Sequence, residues 1–114
     1  MYHPFRYDRN VKYADCSGWT LPNDVTYSSS YYQFIGDCYN LRDLIGLPIP
    51  STYKKIGLNG DENLSHESIM RVINALPDKT GQSGYTLHLT TININKLTTA
   101  EKAIATNKNW SLAN

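Results

Sequence analysis

The chain lacks most of what readily announces a function. It has two cysteines, Cys16 and Cys38, among 114 residues and no Cys-x-x-Cys pair, so it is not the dense disulfide framework of a small secreted domain. Two buried thiols are the first reading of them and a single bridge the alternative. No apolar run approaches the ~20 residues of a membrane span, so no membrane insertion is expected. The polar and aromatic start from Met1 to Asn10 has no continuous apolar core and is no signal peptide. If Met1 is the native start, the protein is made without its own export signal. Neither sign of charge prevails: 11 Lys and Arg face 10 Asp and Glu, a net of +1. That balance gives no long-range field to steer nucleic acid or an anionic membrane.

Cofactor and metal signatures are wanting too. His3, His66, His88, Cys16 and Cys38 include no closely spaced pair, against the four suitably spaced ligands of a zinc site. Asp61-Glu62 follows Asn59-Gly60 without a calcium-loop register and reads as a solvated loop. Gly81-Gln82-Ser83-Gly84 lacks the Lys-Ser/Thr of a phosphate loop and precedes a strand rather than a helix. No cofactor is expected.

What the chain does have is tyrosine, nine residues against two Phe, with many Ser, Thr and Asn, so much of its apolar area carries a polar tip. Its length suits one domain. Residues 64–77 show helical spacing: Ile69, Met70, Val72, Ile73 and Leu76 share a side, Ser65 can cap the start, and Pro77 stops the helix. Thr98-Thr99-Ala100-Glu101 is a capping box, opening a second helix to about Thr106, with a left-handed cap offered by Asn107-Lys108-Asn109. Residues 85–89 alternate as a half-buried strand, Leu87 and Leu89 inward and His88 outward. A similar strand at 53–58 precedes the first helix, and aligning Leu64 with Leu97 gives a 33-residue repeat. Trp110-Ser111-Leu112 places a further strand after the second helix. Before residue 50, Phe34, Cys38, Leu41, Leu44 and Leu47 recur at intervals of three or four. That suits either a helix or the inner wall of a repeat, with Gly36, Gly46, Pro48 and Pro50 against one long helix. Strand, turn and helix in succession predict a small parallel sheet with helices on its other face, the advance of a solenoid.

Cys38-Tyr39-Asn40-Leu41-Arg42-Asp43-Leu44 resembles the Cys-x-x-Leu-x-x-Leu core of BspA-like leucine-rich repeats, and residues 16–26 resemble a degenerate form of the segment that family builds around tryptophan. Residues 64–76 and 96–112 are similar to the closing repeats of such proteins in gut bacteria, prophages and phages, with Asn109 where the family often has glycine. The resemblance implies an α/β leucine-rich-repeat-like solenoid. Its parts are an N-terminal arm over 1–12, degenerate repeats over 13–52, and two strand-helix repeats with a closing strand over 53–114. It also implies adhesion or recognition without catalysis.

Two clusters compete as sites. His66-Glu67-Ser68 has the residue types of a hydrolytic triad, but consecutive positions at a helix start point apart. The simpler reading has Glu67 meeting the helix dipole and His66 facing solvent. The tyrosine-rich stretch around Tyr27, Tyr31 and Tyr32, with Tyr39 nearby and His88 on its strand, is the candidate binding surface, since tyrosine gives contact area at low entropy cost. An aromatic ladder packed between turns explains it equally. The expected function is recognition of a protein or glycan surface by a phage or bacterial surface or mobile-element protein. The alternatives are a structural virion or assembly component that self-associates through an uncovered repeat edge, and a phage-encoded inhibitor of a host protein. A larger parent protein implies the virion or bacterial surface, a standalone chain the host cytoplasm.

Overall fold

The computed structural model describes residues 10–17, 38–47, 49, 54–58 and 60–113, with residues 31–32 described as backbone. The chain is a mixed α/β protein, and its described residues form six short strands, all pairing in parallel, in two sheets. Strand β1 (Tyr13–Asp15) pairs with β3 (Asp43–Ile45). Strands β2 (Tyr31–Tyr32), β4 (Lys55–Gly57), β5 (Tyr85–His88) and β6 (Trp110–Ala113) form the other sheet, in that order. The expected single sheet is therefore two. Helix α1 (His66–Ala75) lies between β4 and β5 in the chain, and the four-residue α2 (Thr91–Ile94) and α3 (Thr99–Asn107) lie between β5 and β6.

The elements fall into two rows. One row holds the four-stranded sheet. In the other, β3 follows β1, α1 docks on the far side of β3, and α3 packs against α1. The chain visits the rows alternately. Helix α1 attaches to β3 at its N-terminal turn, where the Ser65 N–H donates to the Arg42 carbonyl at 2.9 Å and the Leu44 N–H donates to Ser68 Oγ at 2.9 Å. Leu44, Ile56, Ile69, Ile73, Leu87, Leu89 and Trp110 interleave in one apolar cluster drawn from both rows. Burying side chains of this size stabilises by roughly 1.5–3 kcal/mol each, and the whole is opposed by chain entropy.

The expected helix ends are where their caps put them. Ser65 accepts the Ser68 N–H at 3.1 Å, Leu76 caps the other end of α1, and Thr98 and Glu101 close a reciprocal capping box at α3. Asn109 takes the left-handed conformation at φ 68°. The 33-residue step from Leu64 to Leu97 fits the helices, but the strands advance by 31 residues (55 to 86) and then 25 (86 to 111). The shorter step contains α2 and α3. Leu41, Leu44 and Leu47 turn inward from and around β3, so the intervals from Cys38 to Leu47 belong to a strand with its flanks and not to a helix, while Phe34 lies outside the described residues.

Asp61 corrects the solvated-loop reading, since it is fully buried. Its Oδ1 accepts the Cys38 N–H at 2.7 Å, and its carbonyl accepts Asn93 Nδ2 at 2.7 Å. Asn93, also fully buried, in turn accepts from Lys96 Nζ at 2.9 Å. These polar groups sew together three chain segments that lead into Leu41, Leu64 and Leu97. A buried polar group held this way stabilises only while its partners stay in place.

Candidate functional site

Of the residues singled out in the sequence, those the structure describes are divided between the two rows. Tyr27 lies outside the described residues. Tyr31 and Tyr32 lie on β2, where Tyr31 pairs with Lys55 and Tyr32 with Ile56. His88 is in the same sheet, paired with Gly57 and Ala113. It is half-buried and its Nε2 is covered from solvent, so the outward contact expected of it is only partly available. Tyr39 belongs to the other row, 38% exposed, and its carbonyl accepts from Asn63 Nδ2.

The His66-Glu67-Ser68 trio is dispersed by its own structural duties. Ser68 is buried, and its hydroxyl donates to the Arg42 carbonyl at 3.0 Å while accepting the Leu44 N–H. His66, expected to face solvent, keeps 42% of its side-chain exposure but bonds Glu101 Oε2 at 2.6 Å, bridging α1 to α3. Glu101 is held below the usual carboxylate range first by the Thr98 N–H and then, against a small burial penalty, by His66. Cys16 and Cys38 are both buried thiols and are not joined. Burial, with the Asp15 charge behind it, pushes the Cys16 thiol up to about 11, which leaves it protonated and a poor nucleophile. Among the described residues no three His, Cys, Asp or Glu side chains cluster as a metal site, and no helix is long and apolar enough to cross a membrane.

One concave surface among the described residues is not revealed by the sequence. A groove of about 530 Å³ lies at the start of β1 and β3, lined by Lys12, Tyr13, Asn40, Arg42, Asp43 and Asn63. It continues past Arg42 and Asn63 into a hollow of about 260 Å³ reaching Ser65, His66 and Lys96. The parallel register builds it: Tyr13 stands opposite Asp43, and the Lys12 carbonyl accepts the N–H groups of Arg42 and Asp43 at 3.0 and 3.1 Å. The one signal in sequence was that Lys12-Tyr13 and Arg42-Asp43 both open strands, which is visible only once that register is known.

The cations of the groove differ in what they can offer. Lys96 Nζ spends its three donors on the carbonyls of Glu62 and Leu64, at 3.1 and 2.7 Å, and on Asn93 Oδ1. Burial first and the Arg42 charge second lower its pKa. Arg42 and Lys12 are exposed, and among the described residues nothing pairs with either side chain. Tyr13, 59% exposed, presents its ring beside them. Chemically the groove offers an uncommitted guanidinium and ammonium, a carboxylate, side-chain amides and one aromatic ring.

The geometry thus defines a mixed α/β domain with small parallel sheets and a polar groove at one end of its first strands. No family model, curated protein or solved structure matches the chain.

Proposed function

We propose that this protein is a non-catalytic recognition module of BspA-like leucine-rich-repeat type, binding a protein or glycan surface. Support for the repeat reading comes from the alternation of the chain between two rows that share one apolar cluster, which suits the advance of a solenoid. The observation that carries the binding reading is the groove at Arg42. Two cationic side chains with no partner among the described residues converge there with an exposed ring, a carboxylate and side-chain amides. Open concavities with convergent polar groups and an aromatic wall are where ligands are held. Binding the purified chain to arrayed glycans and arrayed surface proteins tests this. The expected result is saturable binding to a restricted set, with the bound molecule recovered unchanged. Conversion of a bound molecule, or no saturable binding on either array, overturns it.

The runner-up is a structural assembly component. Its support is the outer edge of β6, beyond which no strand pairs among the described residues, and open edges of this kind template association. Light scattering across a concentration series separates the two, since the assembly reading requires mass to grow with concentration and the module reading requires a constant monomer.

A further inference from the structure

We infer that the groove between Lys12, Tyr13, Arg42, Asp43 and Asn63 is a binding site for an acidic glycan, a sugar chain whose units carry a carboxylate. The inference rests on the recognition-module reading and specifies its ligand.

Arg42 stands where the large groove and the adjoining hollow meet, bordering both. With no partner among the described residues, its planar fork can take a carboxylate with two parallel bonds, for which guanidinium is better suited than ammonium. Lys12 adds a second uncommitted cation at the other end of the groove. Lys96 contributes charge alone, its donors being spent on carbonyls and an amide.

The rest of the lining chooses between classes of anion. Asp43 is an acceptor inside the groove. It can take bonds from the hydroxyls of a sugar, which the carboxylate side chains of an acidic peptide do not offer. Asn63 gives one amide hydrogen to the Tyr39 carbonyl and brings its Oδ1 as a further acceptor on the lining. Acceptors for hydroxyls beside a donor for one carboxylate describe a uronic-acid-like unit. The exposed Tyr13 ring supplies the flat apolar surface on which the C–H face of a sugar ring rests. A polyphosphate or nucleic acid would want several cationic donors and no carboxylate, and here two cations are uncommitted beside one Asp.

The test is titration of the full chain with trigalacturonate, followed by calorimetry and by amide chemical shifts, alongside its methyl ester and a short polyglutamate. The expected result is saturable binding of trigalacturonate that weakens with salt and shifts the amides of residues 12–13, 40–43 and 63. The methyl ester and polyglutamate should bind at least tenfold more weakly. Arg42→Gln should lose at least tenfold, and Tyr13→Ala should lose several-fold at unchanged salt dependence. Both positions are exposed, and an amide spectrum otherwise unchanged certifies the fold of each variant. Equal binding of the ester, polyglutamate binding as tightly through Arg42, or no saturable binding of trigalacturonate overturns the inference. A glycan or protein that binds the Arg42→Gln chain undiminished, with shifts elsewhere, overturns the groove but leaves the recognition module standing. Failure of both arrays as well removes the module itself.

Discussion

Strand β3 has a neighbour on each side, and the two junctions are built by different means. Toward β1 the bonds run backbone to backbone: Arg42 and Asp43 donate to the Lys12 carbonyl, and Cys16 donates to the Ile45 carbonyl at 2.7 Å. Toward α1 a helix stands where a third strand would, and its own backbone is committed within the helix. The edge of β3 is met instead by Ser68 Oγ, which accepts from Leu44 and donates to Arg42, while Ser65 supplies one backbone N–H and Arg71 reaches the Leu44 carbonyl at 3.3 Å. One hydroxyl thus reproduces a rung of the ladder, and a row that begins as strands continues as helices. The strand half of that row is held by register, whereas the helical half is held by side chains. The contrast is open to breaking from either end.

The largest effect belongs to Trp110 of β6, the strand packed against α3; it is buried to 1% exposure, packs edge to face on Tyr85 at 5.3 Å and donates Nε1–H to the Pro77 carbonyl, just past α1, at 2.8 Å. Trp110→Ala should cost about 3–5 kcal/mol in urea unfolding, by lost contact and the cavity left behind. Trp110→Phe should keep most of the packing and lose roughly the 0.5–1.5 kcal/mol of a hydrogen bond. Equal losses in the two variants would mean that the bond, and not the packing, closes this end.

The strand half has its own weak point in Gly46. At φ +66° and with Ser17 Cα 2.7 Å from where a Cβ would stand, it needs both the left-handed backbone and the missing side chain. Gly46→Ala should cost about 2–4 kcal/mol from strain and overpacking together. Hydrogen exchange should quicken at Cys16, whose N–H binds Ile45 next door, and stay unchanged in α3. Quickening throughout would mean that the two halves unfold as one unit and that the contrast is only geometric.

The same contrast explains what the sequence disclosed. The ends of α1 and α3 were legible because a cap is a bond between residues three apart, Ser65 with Ser68 and Thr98 with Glu101. Strands β1 and β2, at three and two residues, are too short to show alternation, and what makes them strands is pairing across the fold. The α2 turn has no room for an amphipathic face and hangs on Thr90 accepting the Asn93 N–H. Asp61 looked like a solvent residue because its partners, Cys38 and Asn93, are more than 20 positions away on either side. The groove escaped for the same reason: Lys12-Tyr13 meets Arg42-Asp43 only through parallel register. The tyrosine-rich segment stood out by composition, and composition does not carry position.

Substituting Ser68 tests the junction directly. Ser68→Ala removes the acceptor of the buried Leu44 N–H and the donor to Arg42, and a buried group left unsatisfied costs about 1–3 kcal/mol. The Leu44 amide should lose protection against exchange while the β1 amides keep theirs. Ser68→Cys, with a weaker donor of similar size, should fall between. Full protection of Leu44 in the alanine variant would show that water replaces the hydroxyl as acceptor of its N–H, and the helix would then be docked by its apolar side alone.

The smallest effect lies where helix meets helix, and it depends on pH. Glu101 closes the α3 capping box and accepts His66 from α1. Because the folded chain holds its carboxyl below the ordinary 4.5, the carboxylate binds its proton more reluctantly folded than unfolded. Its contribution is therefore complete above the unfolded value and is lost as pH falls through the lowered one. Glu101→Gln keeps a side-chain oxygen for the Thr98 N–H and removes the charge, so it separates the box from the ion pair. At pH 7 the variant should melt slightly below the parent, and the gap should close as pH falls below that carboxylate range. Restoring a similar gap at pH 7 by 1 M salt would be inconsistent with a charge effect, since screening should shrink the contribution of so exposed a pair. A gap that stays constant across the whole range would assign the loss to the box geometry, and the α1–α3 contact would then rest, like the α1–β3 contact, on fixed hydrogen bonds rather than on charge.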